Sequence, residues 1–123
     1  MKYDYLIVDT CPAVGALTIN ALAAADGVVI TVNPQLLAMV GLQEFLKTIK
    51  KIKSRINPRL EVEGILLTMC EARTNESKIP NTVKVGESVY YSEPLLEYAP
   101  QSKACRAYLD FGKELIGDES KSA

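Results

Sequence analysis

The chain contains no histidine. That removes His-based triads and most zinc catalysis from consideration. Cysteine is scarce: Cys11, Cys70 and Cys105 stand far apart, with no C-x-x-C pair. Such spacing offers no zinc site. Strand-like sequence follows Met1-Lys2 at once, so no targeting region is expected. An odd number of thiols in that setting points to reduced cysteines in the cytoplasm. No apolar run is long and uninterrupted enough to cross a bilayer, and no membrane role is expected. An excess of charge is missing too. The formal net charge is −1, which gives no global signal for nucleic acid or an anionic surface. No internal repeat and no low-complexity tract interrupts the chain. The last absence is the most specific. No G-x-x-x-x-G-K-[ST] loop occurs in these 123 residues, so the usual backbone cradle and lysine for nucleotide phosphates are not among them.

What is present reads as one small globular domain. Hydrophobic residues make up 48% and charged residues 24% of the 123, enough to bury a core in a domain of this size. The expected organisation is an α/β domain over residues 1–116 and a polar, frayed tail over 117–123.

The most informative stretch is Tyr3-Asp4-Tyr5-Leu6-Ile7-Val8-Asp9-Thr10-Cys11-Pro12. Its apolar part, Tyr3 to Asp9, predicts a buried strand of a parallel sheet. Ligands of open α/β sheets sit beyond the carboxyl ends of such strands. On pattern alone Asp9 has two readings of equal weight. It caps the turn or helix that follows, or it holds a magnesium ion through the ion's waters, as nucleotide hydrolysis requires. Pro12 to Gly15 is a turn, too sparse in glycine to form a phosphate nest.

Further elements follow. Leu17 to Ala25 predicts a helix, ended by Asp26-Gly27, and Val28 to Val32 a second buried strand. Asn33-Pro34 favours a turn. Ala38 to Ile56 predicts a long amphipathic helix, with Leu42, Phe45, Leu46, Ile49 and Ile52 on one face. Lysines and Arg55 cover most of the rest and suit the dipole at its C-terminal end. Asn57-Pro58 stops it. Val62 to Met69 predicts a third strand. Glu71 to Lys78 reads as a polar loop. Ile79 to Pro100, punctuated by Pro80, Gly86, Pro94 and Pro100, predicts irregular chain with short extended pieces. Ser102 to Ile116 returns to helix. Strands alternating with helices predict a short, mostly parallel sheet flanked by helices, joined by right-handed crossovers.

These residues resemble the C-terminal half of ParA/Soj-type partition ATPases, relatives of MinD within the deviant-Walker P-loop class. Three stretches carry the resemblance. Tyr3 to Pro12 is similar to the family's Walker B segment and continues into the helix Leu17 to Asp26. Ile56-Asn57-Pro58-Arg59-Leu60 leads into Glu63-Gly64-Ile65-Leu66-Leu67-Thr68-Met69 and Ala72-Arg73-Thr74-Asn75. Ile79-Pro80 runs through Val83-Lys84, Glu87-Ser88, Leu96-Glu97-Tyr98 and Pro100 to Ala107-Tyr108 and Lys113-Glu114. Together they span nearly the whole chain. The departures are equally specific. The family's K-G-G-V-G-K-T loop, its aspartate-rich segment and its first strands have no counterpart here. The family usually has proline where Cys11 stands. A second deletion is expected between Ser77 and Ile79, where the family has a helix and a further strand. The chain therefore resembles a truncated member.

The resemblance implies ATP and magnesium as cofactors and assigns roles. Asp9 orders the magnesium-bound water beside the phosphates, with Thr10 and Pro12 shaping the turn beyond it. Thr68, Met69 and Pro80 fall on the adenine side. Met69 as core and Pro80 as a turn residue is the competing reading, and the absence of a phosphate cradle favours it. Arg73 and Lys84 match basic residues that contact DNA phosphates without sequence preference. A solvated Arg73 is the competing reading, and Asn81 stands where a further arginine is common. Cys11, beside Asp9, is read as an ordinary small residue. The implied function is a chromosome or plasmid partitioning ATPase homologue with little or no hydrolysis alone. The alternative is a non-catalytic module that pairs with full-length ParA-like proteins or a ParB-like partner. A remnant without selected function is a third reading. Missing strands leave a sheet edge uncovered, so a homo-oligomer is expected. Weak DNA binding and a cytoplasmic location complete the expectations.

Overall fold

The computed structural model describes residues 2–11, 13–34, 36–70 and 78–119. It is an α/β structure, as the alternation of elements predicts. The order is α1 (Ala16–Ala24), β1 (Gly27–Val32), α2 (Leu36–Arg55), β2 (Glu61–Cys70), β3 (Lys78–Pro80), α3 (Val83–Tyr90), α4 (Leu95–Tyr98) and α5 (Lys103–Glu119). The strands form one three-stranded parallel sheet in the order β1-β2-β3. Between β2 and β3, Leu67 faces Lys78 and Cys70 faces Pro80. Three steps on β2 therefore oppose two on β3, which is a bulge. Only residues 71–77 join these parallel neighbours. That is fewer than the dozen residues a helical crossover takes.

Two compact units are distinguished: Met1–Val29 with Met39–Gly64, and Ile30–Ala38 with Ile65–Ala123. In the first, Leu22, Ile49, Ile52 and Leu60 are buried. Ile49 and Ile52 belong to the predicted apolar face of α2, while Lys47, Lys50 and Lys51 are exposed. Asn57 does more than stop the helix. It is 7% exposed, and its amide nitrogen donates to the carbonyls of Leu22 at 3.0 Å and Ala25 at 2.7 Å. These carbonyls belong to the end of α1, where helical partners run out. The Asn57 side-chain oxygen accepts from the Arg59 N–H, and the Glu61 N–H donates to the Asp26 carbonyl at 2.9 Å. One buried amide thus ties the end of α1 to the turn before β2.

The predicted strand Tyr3 to Asp9 does not form. The segment makes no ladder, and Leu6 and Ile7 are 87% and 91% exposed. An apolar run becomes a strand only when a neighbour supplies hydrogen-bond partners and a cover. Among the described residues no strand pairs with this segment, and Leu6 and Ile7 stay uncovered. The same deficit marks α1, whose apolar sequence reads as a buried helix while Leu17 is 82% exposed.

In the second unit, Ile30, Val32, Leu66, Cys70, Ile79, Ala104 and Cys105 form the core, and α5 packs on β3. Along β2, Leu66 and Cys70 are buried while Ile65 and Met69 lie on the opposite, exposed side. Parallel strands are usually covered on both faces; here the described residues leave Ile65 and Met69 exposed. The expected irregular stretch 79–100 contains two helices. Thr82 caps α3, its hydroxyl accepting from the Lys84 N–H at 3.3 Å, and α3 packs against α4. The prolines lie outside both helices, and Pro94 stands at the N-cap of α4. Of the expected tail over 117–123, Gly117 to Glu119 belong to α5, and the rest lies outside the described residues.

Candidate functional site

Asp9 lies exposed at the end of the apolar segment, which carries no strand. The capping reading fails for the helix that follows. The N-cap of α1 is Gly15, with no side-chain cap, and Asp9 is in no hydrogen bond or ion pair among the described residues. The buried Thr18 hydroxyl donates to the Ala13 carbonyl at 2.9 Å, with the Cys11 carbonyl at 3.4 Å. Thr18 was hidden in the sequence, where it reads as one polar residue in an apolar helix. Thr10 and Cys11 are exposed, and Cys11 is a free thiol. Pro12 and Arg73 lie outside the described residues.

Among the described residues no three His, Cys, Asp or Glu side chains gather into a metal cage. A single exposed carboxylate suits magnesium, which keeps most of its waters and needs few protein ligands. Asp9 is the residue that could hold it, and the phosphates that would complete the shell need donors these residues do not supply.

Thr68, Met69 and Pro80 do come together, at the carboxyl ends of the paired strands β2 and β3. Met69 is 62% exposed and has φ 56°, so it is not core. A left-handed backbone at a non-glycine residue costs on the order of 1 kcal/mol. The register shift between Leu67 and Cys70 spans Thr68 and this residue. Beside it stands Asn33, just after β1, whose amide nitrogen lies 3.8 Å from the Met69 sulfur. Their separation of 36 residues kept this pair out of sequence reasoning.

Lys84, on α3, already has a partner. Its ammonium donates to Glu87 at 2.8 Å, and Tyr98 donates to the same carboxylate at 3.0 Å. Lys84 also sits 5.8 Å from the centre of the Tyr98 ring. The Lys84 hydrogen bond, then that of Tyr98, holds the Glu87 carboxyl below its ordinary range. Glu87 in turn raises both Lys84 and Tyr98. A phosphate contact by Lys84 must compete with this carboxylate.

A family model described as an AAA domain matches residues 1–62, which include Asp9 and Thr18. The chain belongs to this family. Within the AAA-domain family it is ParA/Soj-like and of the P-loop class. It is 37% identical to the sporulation initiation inhibitor protein Soj of Bacillus subtilis, over 95% of this chain and 53% of Soj. It is 38% identical to the chromosome partitioning protein ParA of Myxococcus xanthus, over 94% of this chain and 47% of that protein. Among solved structures, the cobyrinic acid a,c-diamide synthase from Mycobacterium smegmatis superposes with a TM-score of 0.56 at 30% identity. That match covers 83% of this chain and 42% of the synthase. The chain spans about half the length of the curated relatives it matches. The Soj alignment takes in 95% of 123 residues, about 117, yet runs over 135 positions, so about 18 have no counterpart in this AAA-domain chain. The short β2–β3 connection fits such a gap between Ser77 and Ile79.

Proposed function

We propose that this chain is the Walker B half of a ParA/Soj-like partitioning ATPase, with little or no ATP hydrolysis on its own. The observation that carries the reading is Asp9, exposed at the end of an apolar segment and in no hydrogen bond or ion pair among the described residues. ATP and magnesium are the cofactors. Asp9 orders a water of the ion, Thr10 and Pro12 shape the turn beyond it, and Thr68, Met69 and Pro80 lie on the adenine side. The phosphate cradle must come from residues other than these 123. The location is cytoplasmic, and the described residues contain no helix long and apolar enough to cross a membrane. Arg73 and Lys84 give at most weak, salt-sensitive DNA contact, since Lys84 is shared with Glu87.

The test is to replace the matching half of Bacillus subtilis Soj with this chain and measure ATP turnover. Asp9→Ala in the chimaera is expected to lower turnover about a hundredfold. Equal turnover with and without Asp9 contradicts the role.

The exposed Leu6, Ile7, Ile65 and Met69 favour a second reading, an interaction module. These surfaces support self-association into a homo-oligomer, or pairing with a full-length ParA-like protein or a ParB-like partner. Pull-down against the intact relative separates the readings: capture without ATP turnover supports the module alone.

A further inference from the structure

We propose that Asn33 reads the edge of an adenine base whose face lies against Met69. The inference rests on the nucleotide reading above and adds a residue to it that determines which base is accepted. Four observations converge within one compact unit. Asn33 follows the last residue of β1 and Met69 is the penultimate residue of β2. Both therefore stand at the carboxyl ends of neighbouring strands, the crevice where open α/β sheets take ligands. Met69 holds a left-handed backbone at a bulge while leaving most of its side chain in solvent. Stability alone explains neither, since exposure forfeits the burial that would offset the strain, and such outliers cluster at ligand sites. Among the described residues the only partner of the Asn33 side chain is the Met69 sulfur at 3.8 Å. A thioether is a weak acceptor, so the amide keeps its capacity for a stronger one.

The chemistry of the pair selects its ligand. A primary amide presents one donor and one acceptor side by side. Adenine offers the matching pair through its exocyclic amine and N7, whereas guanine offers two acceptors there. A polarizable thioether suits the face or edge of an aromatic ring. Asn33 thus supplies the discrimination and Met69 the contact surface.

The chain has three methionines, so ¹³C-methyl methionine spectra of the whole chain give few signals, and Met69→Leu assigns the one that matters. Adenosine and guanosine are the probes, because neither needs a phosphate cradle. Adenosine is expected to shift the Met69 methyl signal at least about fivefold more tightly than guanosine, the lower end of the discrimination of a bidentate amide–adenine pair. Asn33→Ala and Asn33→Asp, each checked against the wild-type amide spectrum, are expected to erase that preference. Preference retained in both variants overturns the assignment of Asn33 and leaves the nucleotide reading standing. Equal affinity for the two nucleosides in the wild type does the same. No shift of Met69 with either nucleoside overturns the inference and the adenine-side reading beneath it.

Discussion

Asn57 donates an amide hydrogen to the Ala25 carbonyl across 32 residues of chain, at 2.7 Å. With its bond to the Leu22 carbonyl, it finishes α1 in place of the glycine cap that many helices use. Asn57→Ala leaves two carbonyls short of partners, one of them in a buried contact. A loss of about 2–4 kcal/mol is expected, from two hydrogen bonds and the desolvation left uncompensated. Urea unfolding measures it. A loss below about 0.5 kcal/mol contradicts the clamp.

Ile7 makes the opposite case. At 91% exposure it contributes nothing to the core, so Ile7→Lys is expected to change stability by less than about 0.5 kcal/mol. The same substitution places a charge on a segment available for strand pairing and is expected to weaken self-association. Size-exclusion chromatography with light scattering reads the second effect. A destabilisation of several kcal/mol means that Ile7 is covered, and an unchanged mass means that the segment is not the contact.

The pH dependence of the Lys84–Glu87–Tyr98 group has a defined sign. Glu87 titrates below its ordinary value when folded, chiefly through Lys84 and then Tyr98. Its contribution is present above the ordinary carboxylate range and is lost as pH falls through the folded value. Lys84 and Tyr98 are raised. Their contributions are present below their ordinary values and fade as pH rises through the folded ones. All three groups face solvent, so the effect on stability is small and weakens with salt. NMR titration of the Glu87 carboxyl checks the cause: Lys84→Met is expected to move its midpoint upward. An unmoved midpoint contradicts the assignment to Lys84.

Much of this was legible in the sequence, for identifiable reasons. The elements α1, β1, α2, β2 and α5 announce themselves through apolar periodicity and clear breakers such as Asp26-Gly27 and Asn57-Pro58. Asp9 is legible because a carboxylate at the end of an apolar run is chemically conspicuous. The strand at Tyr3 to Asp9 was misread because strand formation depends on a neighbour, and no local pattern reports whether one is present. The helix α3 was obscured by nearby prolines and Gly86, although Thr82 carried its cap. Asn57, Thr18 and the Asn33–Met69 pair act through distant or buried partners, which a linear pattern does not contain.

Titration calorimetry of this chain with magnesium ATP, paired with a phosphate-release assay, tests most directly the claim that it carries the carboxylate of a nucleotide site without its cradle. The expected result is no micromolar binding and no turnover above background. Micromolar binding with turnover that Asp9→Ala abolishes would show that these 123 residues hold a complete site, and would contradict the account.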